Sequence, residues 1–270
     1  MPATELADCF QEPEGSSAES GDVAFGSGLH QVPGGDEFRA KSVMSWHYYF
    51  PLFLYDTEKY VWWQRDLAHN VFGPTVFGGA YKELKKIGGG QFLTEFGICL
   101  PDSSRPDYWG TQECEWVMQR ADQHGLSWCY WDTSDLGVLW NSEGNAVNTA
   151  VDILSRPYPM SVPGTQLRYS FDKKTKIFKL EFQSSGDISS PGKIYLPSNI
   201  YGENRYLKHS EDLEVRLSDE DSQLLDITVK KDSVTTTNSW LVVGVTSELP
   251  SIRSNNWLDT FLSFIPFLSR

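Results

Sequence analysis

No lysine or arginine occurs before Arg39, while Glu5, Asp8, Glu12, Glu14, Glu19 and Asp22 all precede it. A secretory signal needs a basic start and an apolar run, and a transit peptide is Arg-rich and acid-poor, so neither is expected at Met1. Basic residues are scarce throughout: 23 Lys and Arg against 36 Asp and Glu leave a formal net charge of −13. That balance excludes a nucleic-acid binder, which would carry a basic stripe. No apolar stretch reaches the ~18 residues of a membrane span. Cys9, Cys99, Cys114 and Cys129 are far apart and form no CxxC pair. Neither a disulfide framework nor a zinc site is expected from them, and the redox compartment stays open. There is no Asn-x-Ser/Thr acceptor, so glycosylation casts no vote for secretion. HExxH and GxSxG are missing, and the five His (30, 47, 69, 124 and 209) have no ligand spacing. Gly26-Ser27-Gly28 lacks the third glycine of a dinucleotide fingerprint because Gln31 stands there. No metal and no cofactor are therefore expected.

Aromatic residues are plentiful instead, with 10 Trp, 12 Tyr and 15 Phe. A large core uses such residues, and so does a cleft that binds sugars.

Residues 1–40 read as irregular, with Val32-Pro33-Gly34-Gly35 a turn signal. Lys41 to Tyr49 reads as a buried strand. Asp56 to about Asn70 carries a helical stripe (Tyr60, Trp63, Leu67), with Asp56 or Thr57 as N-cap. Ala80 to Ile87 predicts a second, short helix closed by Gly88-Gly89-Gly90. Gln91 to Glu95 is the next strand, Thr111 caps a helix that Gly125 stops, and Leu126 to Trp131 is a third strand. Strand, helix, strand, helix, strand is the grammar of a parallel sheet or a β/α barrel.

The grammar changes after Arg156-Pro157-Tyr158-Pro159. Leu167, Tyr169 and Phe171 alternate, Asp172 to Thr175 makes a turn, and Phe178, Leu180 and Phe182 alternate on the return, which predicts a hairpin. Ile194-Tyr195-Leu196, then Leu213, Val215 and Leu217, then Leu225, Ile227 and Val229, then Trp240 to Val245 continue the series. Strands at this spacing predict a small antiparallel sandwich. The expected domains are 1–155, 156–248 and an apolar tail, 249–270. That tail either docks on the sandwich or touches a membrane surface transiently; Pro266 and the lack of a basic face favour docking.

Candidate chemistry falls at the C-terminal ends of the predicted β/α strands, where a barrel carries its active site: His47 and Tyr49, then Glu95, then Trp131. Singly, a Glu before a Gly-containing turn is ordinarily a solvated carboxylate, and a His among aromatics is ordinarily a core histidine. Their recurrence on three successive strand ends points to a site.

Ser45-Trp46-His47-Tyr48-Tyr49, Gly88-Gly89-Gly90-Gln91-Phe92-Leu93-Thr94-Glu95-Phe96-Gly97 and Ser127-Trp128-Cys129-Tyr130-Trp131 resemble strands six, seven and eight of the endoglycoceramidase-related branch of glycoside hydrolase family 5. Phe10-Gln11-Glu12-Pro13 resembles the end of strand five, and Arg156-Pro157-Tyr158 with the strands beyond resembles the C-terminal β domain. The resemblance runs from about residue 8 to 246. It implies the C-terminal half of a (β/α)8 TIM barrel followed by a β-sandwich, in a retaining glycosidase that releases sugar from glycosphingolipids. It implies Glu95 as nucleophile, Tyr49 orienting that carboxylate, His47 contacting the sugar and Trp131 as its stacking floor. The partner implied is a glycolipid substrate, and no protein partner is inferred. For a full-length relative the resemblance implies a secreted, lysosomal or membrane-associated setting.

One element of the family pattern is missing. A retaining enzyme needs a second carboxylic acid about 5–5.5 Å from the nucleophile, and the family's Asn-Glu-Pro that supplies it does not occur. Glu12 in Gln11-Glu12-Pro13 stands only 35 residues before His47, about one β/α unit, which places it at strand five rather than four. A complete barrel takes ~250 residues. The sequence therefore reads as the later part of a longer enzyme, or as a remnant that binds glycan or lipid without catalysis. A glucosylceramide or steryl glucoside β-glucosidase is the alternative substrate reading.

Overall fold

The computed structural model describes residues 29–49, 61–97, 99, 101–132, 139–185, 187–202, 205–230 and 238–245. The expectations placed at Phe10 to Pro13, at Asp56, Thr57 and Tyr60, and on the tail lie outside these residues. The chain divides into two compact units, Met1–Ser155 and Arg156–Arg270.

In the first unit, β1 (Val43–Tyr48), β2 (Gly90–Gly97) and β3 (Ser127–Trp131) form a parallel sheet in the order β1-β2-β3. Strand β1 shows why it forms: Met44, Trp46 and Tyr48 are buried, while Val43 before them and His47 between the last two are exposed. Side chains alternate across a strand, so one apolar set faces the helical layer and the other face carries Ser45 and His47. The helix-side core joins Met44, Trp46 and Tyr48 to Phe77, Leu93, Phe96 and Met118. Among the described residues, β1 and β3 each pair along one edge only.

Where the sequence predicts two helices, one continuous run occurs: α1 (Trp62–Asp66), a π turn (Leu67–Phe72) and α2 (Gly73–Ile87). Gly73-Pro74 reads as a break, since a proline inside an α-helix lacks the N–H donor and clashes with the carbonyl four residues back. Pro74 instead enters just after the π turn, whose looser ladder absorbs it. Gly88 and Gly89, both at positive φ, end the run as expected.

Helix α3 (Trp109–His124) starts earlier than predicted, with Tyr108 at the N-cap. Thr111 lies inside it, and its hydroxyl donates to the Asp102 carbonyl while accepting from the Asp102 amide. The hydroxyl ties the preceding loop to the helix instead of capping it. Gly125 stops α3 in the left-handed conformation. At its last turn, burial pushes the His124 imidazole below its usual range, and the Arg120 charge adds to this. The unfolded chain takes up a proton near pH 6.5 that folded His124 resists, so the unfolded state binds more protons below that pH. Stability is expected to fall as the pH drops below about 6.5. Urea midpoints at successive pH values should lose part of this slope in His124→Gln.

A disulfide joins Cys99, in the loop after β2, to Cys114 on α3, with both side chains buried. The pair crosses a separation of 15 residues, which no cysteine motif announces. Closing a loop of that size limits the unfolded chain by about 3 kcal/mol. Cys99→Ser with Cys114→Ser, or treatment with dithiothreitol, is expected to lower the unfolding free energy by about that amount.

In the second unit, β4 (Tyr158–Ser161), β7 (Gly192–Tyr195), β10 (Leu224–Val229) and β9 (Leu213–Leu217) form one antiparallel sheet in that order. The other runs β5 (Gly164–Asp172), β6 (Ile177–Ser184), β11 (Asn238–Val245) and β8 (Arg205–His209). The predicted hairpin is β5–β6, with Tyr169 opposite Leu180 and Phe171 opposite Phe178. Asp172 Oδ1 accepts the amides of Lys174 and Thr175, which closes the turn. Both sheets contribute to one core: Phe178, Leu180 and Leu241 from one, Ile194, Leu213 and Leu225 from the other. Strands β4 and β8 were not expected. Both are edge strands, one containing Pro159 and the other, Arg-Tyr-Leu-Lys-His, too polar to show a stripe.

Candidate active site

The predicted carboxylate is set by an irregularity in β2. Trp46 pairs with Leu93 but His47 pairs with Glu95, and on the other side Leu93 pairs with Trp128 while Phe96 pairs with Tyr130. Both ladders therefore carry one extra residue in β2 between Leu93 and Phe96. In an unbroken strand Leu93 and Glu95 would share the helix-side face. With the bulge, Leu93 and Phe96 are both buried in that core and Glu95 turns to the opposite, open face. The bulge is tied down by two hydroxyls: Ser45 Oγ and Thr94 Oγ1 are 2.7 Å apart, and Thr94 Oγ1 donates to the Trp46 carbonyl at 3.3 Å.

On the open face, three of the predicted residues meet. Tyr49 donates its hydroxyl to Glu95 Oε2 at 2.8 Å, and His47 Nδ1 stands 3.1 Å from the same oxygen. A carboxylate only accepts, so His47 holds its proton on Nδ1. Both donors bind Oε2, and Oε1 takes none among the described residues. The Glu95 side chain keeps 23% of its accessibility and His47 keeps 51%, so the group is reachable from solvent. Trp131, the fourth predicted residue, stands on β3 opposite Gly97, two positions beyond Glu95 on the central strand, with its ring 53% exposed. Gly97 is where the two backbones crowd: a Cβ there would lie 1.6 Å from the Trp131 carbonyl oxygen. The Trp131–Asp132 peptide is cis.

Ser45 and Thr94 are the residues of this site that the sequence reading gave no role. The only signal was a threonine directly before the candidate carboxylate. Among the described residues, no cluster of His, Cys, Asp and Glu is built to hold a metal ion. Chemically, the arrangement offers one carboxylate oxygen pinned by two donors, the other presented to solvent, and an aromatic face on the neighbouring strand.

Residues 156–243 match the glycoside hydrolase family 5 C-terminal domain. An endoglycoceramidase of Cyanea nozakii is 29% identical over 194 residues, 67% of this chain and 34% of that protein. One of Hydra vulgaris is 28% identical over 191 residues, 67% of this chain and 32% of that protein. The chain thus spans about a third of the length of these relatives. Among solved structures, endo-glycoceramidase II from Rhodococcus sp. in complex with ganglioside GM3 superposes with a TM-score of 0.58 at 23% identity, over 74% of this chain and 41% of that one. Sterylglucosidase 1 of Cryptococcus neoformans reaches 0.59 at 16% identity, over 77% and 38%. These two likenesses concern the fold. Residues 156–243 thus carry a glycoside hydrolase family 5 C-terminal domain, and the chain is similar to endoglycoceramidases over 67% of its length.

Proposed function

We propose that this chain carries the nucleophile side of a retaining glycosidase that acts on glycolipids, with Glu95 as the nucleophile. The observation that carries the reading is the pair of donors on Glu95 Oε2 at the C-terminal ends of parallel strands. They hold the carboxylate in one orientation and leave Oε1 to attack the anomeric carbon. In the transition state that carbon is oxocarbenium-like, and a fixed carboxylate beside it stabilises the charge before it bonds. Tyr49 is the orienting donor, His47 presents its ring to a sugar hydroxyl, and the exposed Trp131 ring carries the sugar's C–H face.

In this reading β1, β2 and β3 are strands six to eight of a (β/α)8 barrel, and the two four-stranded sheets are its appended sandwich. A general acid is still required, and it belongs to β/α units other than these three. The substrate class follows from the endoglycoceramidase relatives. A non-catalytic reading is favoured by one feature, the single carboxylate of the trio, and would make the open face a glycan-binding surface.

The test incubates the 270-residue protein with a fluorescent glycosphingolipid beside Glu95→Gln. Release of fluorescent glycan or ceramide by the wild type alone supports the proposal. Measurable release at equal rates in the two proteins removes Glu95 from the mechanism.

A further inference from the structure

The helical layer carries a second recess, unrelated to the Glu95 face. Trp62, Arg65, Asp66, His69, Asn70 and Trp116 line a cavity of about 420 Å³, within the range of small-molecule sites. It lies between the α1–π turn segment and α3. The rings of Tyr48 and Trp116, 5.9 Å apart, belong to the helix side of the sheet, whereas Glu95 and His47 occupy the other side.

Its wall is constructed with care. Trp116 stacks on His69 at 5.1 Å and 9°, and the Arg120 guanidinium lies 5.1 Å from its ring. His69 Nε2 is 2.9 Å from the buried Glu113 Oε2, which fixes the imidazole. Gly73 makes room for the indole: a Cβ there would fall 2.1 Å from Trp116 Cη2. His69 and Asn70 lie on the π turn and continue the face of Trp62, Arg65 and Asp66 at i, i+3, i+4, i+7 and i+8 spacing; π turns often mark functional sites. At the mouth, the Trp62 ring is 74% exposed. Asn70 Nδ2 donates to Asp66 Oδ1 at 2.7 Å, which leaves Asp66 Oδ2 and the amide oxygen as oriented acceptors. Among the described residues the exposed Arg65 guanidinium has no carboxylate partner.

We propose that this recess is a second carbohydrate site, which takes a neutral pyranose. An open indole suits the C–H face of a sugar ring, and one acid, one amide and one guanidinium supply the acceptors and donors that read its hydroxyls. Asp66 opposes an anionic ligand that Arg65 alone would admit. The proposal does not depend on Glu95 acting as a nucleophile.

Calorimetric titration with lactose tests it, in the full chain carrying Trp131→Ala so that the Glu95 face contributes no stacking platform. Saturable millimolar binding is expected, and Trp62→Ala or Asp66→Asn should each weaken it at least about tenfold. Both side chains are exposed, and matching circular dichroism spectra confirm folding. Arg65→Ala is a third variant on the same wall. No saturable binding, binding indifferent to all three substitutions, or displacement of lactose by acetate would each overturn the proposal.

Discussion

With a dinitrophenyl β-lactoside as substrate, Glu95→Gly is expected to be slower than the wild type by at least about 10³-fold. The leaving group decides why this substrate is the sharper probe. Dinitrophenolate departs without protonation, so the first step needs no general acid. The first-turnover release of dinitrophenolate then reports the proposed attack of Glu95 Oε1 on the anomeric carbon, whereas the second step needs the acid/base residue to activate water. Tyr49 and His47, at 2.8 and 3.1 Å from Oε2, do not replace the carboxylate, because neither lies where the bond forms. Added azide should restore turnover in Glu95→Gly by filling the vacated space, and the glycosyl azide should have the inverted anomeric configuration. Wild-type and variant rates that agree within a factor of two would dismiss Glu95 as the nucleophile. So would rescue that yields the retained anomer.

This expectation rests on residues legible in the chain. Trp46 and Tyr48 alternate with His47, and that alone places the histidine on the face away from the helices. The Tyr49–Glu95 contact likewise joins two strand ends that the motifs had marked. The bulge was not legible. Period-two reading of Gln91 to Gly97 puts Leu93 and Glu95 on one face, and only the shared burial of Leu93 and Phe96 shows the extra residue. The α1–α2 run was read as two helices, to about Asn70 and from Ala80, and the structure joins them through the π turn, where Gly73 makes room for Trp116. Thr111 has the chemistry of a cap, yet the helix began two residues earlier at Trp109. Strands β4 (Tyr-Pro-Met-Ser) and β8 (Arg-Tyr-Leu-Lys-His) are short and carry little apolar alternation, unlike the other edge strands β5 and β9. The proposed lactose recess was not read, since it needs Trp116 of a separate helix standing against residues of α1 and the π turn.

Phe178→Ala is expected to destabilise the second unit by about 3–5 kcal/mol. Phe178 is fully buried on β6, an inner strand, between Phe171 on one side and Val243 on the other. Its ring lies 6.2 Å from that of Tyr169. Neighbours in β5 and β11 are held by ladder hydrogen bonds and cannot close over the space left by the ring. The cost therefore combines lost burial with an unfilled cavity. A domain typically holds only about 5–15 kcal/mol in all, so one side chain accounts for a large share. Urea unfolding followed by far-ultraviolet circular dichroism should show the transition move to lower denaturant with little change in slope. Phe178→Leu should fall between the two, because it keeps part of the volume. Lys174→Ala, in the exposed turn two residues beyond β5, should stay within about 0.5 kcal/mol, since only the Lys174 amide bonds to Asp172. A Phe178→Ala midpoint equal to that of Lys174→Ala would mean that the two sheets do not share the packed core built around this ring.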